Sequence, residues 1–518
     1  MSELLASYVA GAWYTATDEG RVVADASTGE TVARVSSSGF DARAMVEHAR
    51  RVGGPALRRL TFPERAALLK TLAAQLSERK DAYYELSYAT GATKRDSAVD
   101  IDGGIGTTFA FAGIGSRELP EGKLLVDGDL VPMGKQGTFA GRHVYTPLPG
   151  VVLQINAFNF PVWGMLEKLA PALLAGMPSI VKPATQTAYL TAAVVRDIID
   201  AGVLPEGSLQ MLCGDAGALL AELGGGDVIA FTGSANTAAT LRGHDAVVRR
   251  AARFNAETDS LNCCILGPDA AAGGDEFDLF VKEVAREMTV KAGQKCTAIR
   301  RALVPRPAVD AVVDALQARL GRVVVGNPRS DSVTMGALVS VGQRDEVRDA
   351  VSALAQAGQV VSGDALKVEP VDADPQRGAF IAPVLLRCDD ASRAEPHTVE
   401  AFGPVSTVMP YSDAAEAVDI AARGSGSLVG SVVSHDMDFV REVVTGAAPH
   451  HGRVLVLDRD CAGESTGHGT PMPQLVHGGP GRAGGGEELG GVRAVKHFMQ
   501  RTALQGSPAA LEALVAAG

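Results

Sequence analysis

Cysteine is scarce and irregular in this 518-residue sequence: there are six, no Cys-x-x-Cys pair occurs, and Cys263 simply adjoins Cys264. Disulfide scaffolds and zinc ribbons need regular spacing, so neither is expected, and a reducing compartment fits the usage. The ten histidines form no ligand ladder, so no metal site is predicted. Positive charge is also short. A net charge of −12 argues against nucleic acid or an anionic membrane as the main partner. The N-terminus lacks a basic segment followed by an apolar stretch, and no hydrophobic run reaches bilayer length. A cytoplasmic location is the expectation. What is present is an ordinary soluble composition, 46% hydrophobic and 21% charged, in a chain long enough for about two or three domains.

Strand and helix signals alternate from residue 151 onward. Val151 to Ile155 reads as a buried strand, and Trp163, Leu166, Leu169, Ala170 and Leu173 then fall near helical spacing. Ser179 to Pro183, Leu209 to Leu212 and Val228 to Thr232 read as further strands. Helices are expected over Tyr189 to Ile199, near Leu219 and from about Ser234. Such alternation predicts a doubly wound parallel sheet, with a ligand at the carboxyl ends of its strands. A second αβ region follows: strands at Leu261 to Leu266, Ala302 to Val304 and Val323 to Val325, with helices over Phe277 to Val290, Val309 to Leu320 and Gln343 to Ala355. The stretch from Gly134 to Tyr145 reads as a β-hairpin, with Thr138 to Ala140 and His143 to Tyr145 as its arms. Its free edge is expected to pair in an oligomer.

Two features carry chemistry. Cys296 stands in the glycine-containing loop Lys291-Ala292-Gly293-Gln294-Lys295-Cys296-Thr297, downstream of Glu257. A thiolate can attack an electrophilic carbon, and a carboxylate beside it can take a proton from the thiol or from water. Phe231-Thr232-Gly233-Ser234 leads from a strand through a glycine turn into a helix, where free amides would attract a pyrophosphate. No Gly-x-Gly-x-x-Gly follows that strand, so the phosphate site differs from the usual dinucleotide fingerprint.

Six motifs then stand in family order: Asn159-Phe160-Pro161, Lys182-Pro183-Ala184, Phe231 to Ser234, Glu257 with Asp259-Ser260-Leu261-Asn262, Gly293 to Cys296, and Glu400-Ala401-Phe402-Gly403-Pro404. Over nearly its whole length the chain resembles the aldehyde dehydrogenase superfamily. The tail, from His477-Gly478-Gly479-Pro480-Gly481-Arg482 through Gly486-Glu487-Glu488-Leu489-Gly490 to Met499-Gln500-Arg501-Thr502, is similar to a subgroup acting in aerobic benzoate and phenylacetate catabolism. Those enzymes oxidise ring-opened CoA-thioester semialdehydes. The phenylacetate type carries a fused hydratase domain; this sequence ends at Gly518, so the benzoyl-CoA type, acting on a 3,4-dehydroadipyl-CoA semialdehyde, is the expectation.

The resemblance implies an α/β fold with two doubly wound αβα domains and a β oligomerisation extension, assembling as a homodimer or a dimer of dimers. The expected division is a dinucleotide-binding domain over 1–130 and 150–260 and a catalytic domain over 261–480. The extension and tail are expected over 131–149 and 481–518. It implies Cys296 as nucleophile, Glu257 as hydrolytic base and the Asn159 amide as oxyanion donor. Glu167 and Lys168, on a helix bordering the tunnel, would relay protons or restrain Glu257. Lys182 and Thr185 would meet the adenosine ribose, Gly233 and Ser234 the pyrophosphate, Glu400 and Phe402 the nicotinamide end, while Phe158, Phe160 and Trp163 would line the aldehyde tunnel.

Departures from the pattern also inform. NAD-specific relatives have a glutamate where this chain has Thr185; a threonine can donate to a 2′-phosphate that a carboxylate would repel, so NADP is expected over NAD. Ala238 stands where many relatives have glycine. Other readings are a general aliphatic aldehyde dehydrogenase, a CoA-acylating dehydrogenase, a cysteine hydrolase without a dinucleotide, and a binding protein. Glu257 disfavours the acylating enzyme, which needs no hydrolytic base, and the strand-helix cofactor region disfavours the hydrolase. A binding protein would have lost Cys296, Glu257 or Asn159.

Overall fold

Neighbouring residues along the central strands feed different hydrophobic clusters, which buries both faces of each sheet. Val152, Val181, Val228 and Ala230 pack into one cluster, while Leu153, Ile180, Ile229 and Phe231 pack into another on the opposite face. A strand covered on both sides reads as a continuous apolar run, which is why these strands were legible. The computed structural model describes residues 3–516. Its first sheet has seven strands in the order Arg253–Glu257, Val228–Thr232, Val152–Ile155, Ser179–Lys182, Leu209–Met211, Ser7–Val9 and Ala12–Tyr14. The first five run parallel, and the last two join antiparallel.

The second sheet is built the same way, in the order Gln359–Ser362, Val384–Arg387, Val405–Tyr411, Arg301–Pro305, Cys263–Leu266, Ser427–Val433 and His451–Leu457. Cys264 and Leu266 face one cluster; Cys263 and Ile265 face another. Two doubly wound layers are therefore present, as expected. Helices cover the faces, among them Trp163–Ala175, Ala188–Asp200, Asp275–Thr289, Val309–Leu320 and Val341–Leu354. Among the described residues, no helix is long and apolar enough to cross a membrane.

Two expectations need correction. The hairpin arms are Leu125–Pro132 and Ala140–Pro147, so the two predicted arms fall around one strand and the turn comes earlier. Leu125–Pro132 carries Asp127, Gly128 and Asp129, which hide its strand character, and Gly137 at φ 68° turns the chain. Met499–Gly506 pairs along the other side of Ala140–Pro147, completing a three-stranded sheet. Val323 to Val325 is not a strand; Val325 makes only an isolated bridge with Met335. Its apolar run instead serves burial beside Met335 and Leu338.

Candidate active site

The strand Val152–Ile155 runs out into Asn156-Ala157-Phe158-Asn159, and the chain bends from Phe158 onward. Asn159 and Ala157 line both a tunnel and a larger cleft, and Phe160 and Trp163 line the tunnel. Phe158 does not. It lines the cleft and meets Phe402 edge-on at 5.8 Å, a contact that corrects its expected place in the tunnel. The helix Trp163–Ala175 has no side-chain cap of its own; Asp100, from the neighbouring helix Lys94–Arg117, accepts from the Val162 N–H at 3.1 Å and the Trp163 N–H at 2.8 Å. A buried carboxylate at a helix N-terminus satisfies two orphan donors and fixes the helix that carries Glu167 and Lys168.

Each residue of the loop before Cys296 has a structural task. Lys291 and Ala292 adopt φ 58° and 50°, a left-handed run that non-glycine residues rarely hold. The Lys291 N–H donates to Asp96 at 2.8 Å, which helps to hold it there. Gly293 continues the run at φ 67°, and a Cβ there would meet the Gly403 carbonyl at 2.1 Å. Lys295 pairs with buried Glu287 at 2.6 Å. Asn262 donates to the carbonyls of Cys296 at 2.8 Å and Ala298 at 3.0 Å, while Arg300 donates to those of Gly293 at 2.9 Å and Gly403 at 2.7 Å. Cys296 is thereby fixed, partly exposed, where tunnel and cleft meet. Neither the Asn159 side-chain amide nor the Cys296 N–H has a hydrogen-bond partner among the described residues.

The glycine-rich tail explains Glu257. A Cβ at Gly484 or Gly486 would lie 2.3 or 2.4 Å from the Ala256 carbonyl, so only glycine lets the tail pack against the end of the strand Arg253–Glu257. The short strands Val476–Gly478 and Glu487–Leu489 pair there, with His477 directly opposite Glu488. Residues 481–489, expected with the tail, therefore belong to the site. His477 Nε2 lies 3.2 Å from Glu257 Oε2 and 4.0 Å from Cys296 Sγ. Burial opposes charge on Glu257, yet His477 and then Lys168 hold its carboxyl well below the usual range. Burial likewise opposes charge on His477, but Glu257 raises its pKa. We read them as an imidazolium–carboxylate pair. Burial first, and then Glu257, push the Cys296 thiol well above its ordinary value. The ligand atoms of Glu257, Cys296 and His477 lie within 4.8 Å of one another, close enough to grip a soft cation, although a free thiol is what the chemistry needs.

Glu167 and Lys168 are both buried. Lys168 Nζ bridges Glu167 Oε1 at 3.2 Å and Glu488 Oε2 at 3.1 Å. Carboxylate oxygens of Glu167, Glu257 and Glu488 lie within 4.8 Å of one another. Burial pushes Glu488 up to about 8 despite Lys168. Glu167 borders the tunnel, while Glu167, Lys168 and Glu488 border a separate cavity of about 350 Å³ beyond the helix. The chain of charges thus runs from the thiol toward a second opening.

The large cleft, about 580 Å³, lies across the carboxyl ends of the first sheet, where doubly wound folds bind nucleotides. Lys182, Thr185, Gly233, Ser234, Glu400 and Phe402 all line it. Ser234 caps the helix Ala235–Arg242 by accepting from the Thr237 N–H at 3.2 Å. Glu400 Oε2 accepts from the Ser260 N–H at 3.3 Å, while Oε1 is buried without a hydrogen bond, Arg300 Nε standing 3.9 Å away, and burial pushes this carboxyl up to about 7. An orphaned acceptor of this kind fits a ribose hydroxyl.

Arg21, Arg300, His477, Glu488 and Arg482 escaped assignment from the sequence. Arg21 lines the cleft together with Thr185 and Gln186, and Arg482 lies 3.7 Å from Asp259. His477 is 181 residues from Cys296, and only its place in the tail motif marked it.

A sequence profile of the aldehyde dehydrogenase family matches residues 13–503. A 3,4-dehydroadipyl-CoA semialdehyde dehydrogenase of Aromatoleum evansii is 48% identical over 92% of this chain and 93% of its own. A benzaldehyde dehydrogenase [NAD(+)] of Pseudomonas putida is 27% identical over 85% and 84%. Among solved structures, betaine aldehyde dehydrogenase of Staphylococcus aureus in complex with NAD+ superposes with a TM-score of 0.82 at 22% identity, covering 97% of this chain and 94% of that one. PnpE of Pseudomonas sp. WBC-3 does so with a TM-score of 0.83 at 23% identity, over 98% of each. With the profile spanning most of its length and a relative this similar over nearly all of it, the chain belongs to the aldehyde dehydrogenase family.

Proposed function

We propose that the chain oxidises a CoA-linked semialdehyde of the 3,4-dehydroadipyl type to its acid, with NADP, through a covalent intermediate on Cys296. The observation that carries the chemistry is Cys296 at the junction of a nucleotide-sized cleft and an aldehyde tunnel, with Glu257 beside it. The similarity to the Aromatoleum enzyme supports the substrate.

Cys296 Sγ attacks the aldehyde carbon as its proton passes to Glu257, and the new oxyanion lies between the Asn159 amide and the Cys296 N–H. Losing one such donor typically costs about 3 kcal/mol. His477, paired with Glu257 and facing the sulfur, keeps the carboxylate ionised and favours the thiolate. A nicotinamide bound beside Phe402 supplies the hydride acceptor. Cys296 then carries a thioester, and Glu257 deprotonates the water that cleaves it. Protons leave by Lys168 and Glu488 toward the second cavity, with Glu167 holding the lysine. Phe160 and Trp163 keep the tunnel apolar.

Lys182, Thr185 and Arg21 are proposed to hold the adenosine ribose and its 2′-phosphate. Gly233 and Ser234 hold the pyrophosphate, and Glu400 the second ribose. Burial lowers the Lys182 pKa, and a phosphate alongside would secure its charge. The outer strand Leu125–Pro132 and the exposed tip residues Val131, Met133 and Phe139 support pairing as a homodimer.

Comparing kcat/KM for adipyl-CoA semialdehyde and hexanal, each with NADP and NAD, tests this reading. The CoA-linked substrate is expected to win by at least about tenfold, a difference worth 1.4 kcal/mol. NADP should exceed NAD, and Thr185→Glu should reverse that order. Equal values for the two aldehydes would reduce the protein to a general aliphatic aldehyde dehydrogenase.

The relay has its own test. Glu488 accepts a proton only when ionised, so kcat should rise with pH through about 8. Glu488→Gln should remove that limb and lower kcat roughly tenfold, less than the loss of a group acting directly. An unchanged pH profile would exclude Glu488 from the route.

A further inference from the structure

The tunnel opens beside a basic recess that the chemistry at Cys296 does not use. Arg95 and Arg286 line both the tunnel and this recess, and Lys282, Arg319 and Arg322 complete it. The cavity is about 210 Å³ and shares no residue with the nucleotide cleft. Arg95, Lys282, Arg319 and Arg322 are exposed, and among the described residues no carboxylate lies within ion-pair distance of any of them. Two acids are nearby and both are engaged. Asp96 is buried and accepts from the backbone of Thr93 and Lys291; Glu283 lies 3.6 Å from Arg286. In a chain of net charge −12, five gathered cations, four of them without a carboxylate in ion-pair distance, form a local positive field.

Three elements converge to build it. Arg95 lies in the first turn of the helix Lys94–Arg117. Lys282 and Arg286 are four residues apart on Asp275–Thr289, hence on one face, one turn from each other. Arg319 lies in the last turn of the helix Val309–Leu320, and Arg322 follows that helix. The order in space is nucleotide cleft, Cys296, tunnel, basic recess.

We propose that this recess binds the phosphates of the substrate's CoA moiety. The inference rests on the CoA-semialdehyde reading above and adds where the handle sits. Guanidinium groups bind phosphate oxygens in a bidentate manner, and a CoA head carries three phosphates at the far end of a long flexible arm from the aldehyde. With its head in the recess, the pantetheine arm enters the tunnel past Arg95 and Arg286, and the acyl chain reaches Cys296. The dinucleotide enters from the opposite side, so both ligands bind at once. Binding energy gathered at the recess then orients the carbonyl at the sulfur.

The test uses the whole enzyme with saturating NADP, and adipyl-CoA semialdehyde and hexanal as alternative substrates. In Arg319→Glu/Arg322→Glu, kcat/KM for the CoA-linked aldehyde should fall roughly tenfold for each guanidinium removed, the lower range of a charged hydrogen bond. Hexanal, which has no handle, should change less than about twofold, as expected for exposed positions away from the chemistry. Wild-type enzyme supplies a second measurement that needs no variant. Adenosine 3′,5′-bisphosphate should compete with the CoA-linked aldehyde and leave hexanal oxidation unaffected. If wild type strongly prefers the CoA-linked aldehyde but the double variant keeps that preference, the recess is wrong and the substrate reading survives. Inhibition of both substrates by the bisphosphate, competitive with NADP, would place the head in the cofactor cleft and overturn the proposal. Equal wild-type values for the two aldehydes would remove the substrate reading and this site with it.

Discussion

Cys296→Ala is expected to lower kcat/KM for aldehyde oxidation by more than about a thousandfold, since losing a nucleophile ordinarily costs several decades. NADP affinity should stay within about twofold, because uncoupled sites act independently. Lys182 and Thr185, proposed above to meet the adenosine, line the cleft, whereas the sulfur lies at its junction with the tunnel. The substitution removes one partly exposed sulfur from a loop that Asn262 and Arg300 anchor through its backbone, so the fold should hold. Steady-state turnover and a fluorescence titration with NADP measure the two effects. Residual turnover above one part in about a thousand would sink covalent catalysis by this thiol.

Glu257→Gln should separate the two halves of the reaction. Hydride transfer needs the thiolate, and His477, relieved of the carboxylate that keeps it protonated, remains close to the sulfur to take its proton. Hydrolysis needs the carboxylate. A burst of reduced cofactor equal to the enzyme concentration is expected, followed by turnover roughly 10²- to 10⁴-fold below wild type, the usual contribution of a general base. Mass spectrometry in single turnover should find the acyl group on Cys296. The burst should also develop at lower pH. The Glu257 carboxylate is the charge that, after burial, raises the Cys296 thiol, and a neutral glutamine removes it. If no acyl-enzyme accumulates, Glu257 is not the hydrolytic base.

Local signals made the frame of this protein readable. The strands of the first sheet are apolar on both faces, so Val228–Thr232 and Val152–Ile155 stood out as short continuous runs. Ser234 announced a helix start because a hydroxyl there caps the first turn, and it does. The hairpin was misplaced for the converse reason. Leu125–Pro132 is held by its pairing with Ala140–Pro147 and not by its own propensity, since Asp127 and Asp129 are poor strand formers. Phe158 was misassigned because its edge-on contact with Phe402, a residue distant in sequence, is invisible in a motif.

The sequence by itself determined the two layered αβ regions, the thiol and carboxylate pair and the residues that line the large cleft, because periodicity, caps and ordered motifs are properties of neighbouring residues. Only the tertiary structure decided what surrounds them. His477 reaches Cys296 across 181 residues, Lys168 reaches Glu488 across 320, and the basic recess draws its cations from three separate helices. Such contacts arise where glycines let a tail approach a strand end or where helices cross. Burial, together with the charges it brings into contact there, sets whether His477, Glu257 and Glu488 hold their protons, and no spacing along the chain encodes that balance.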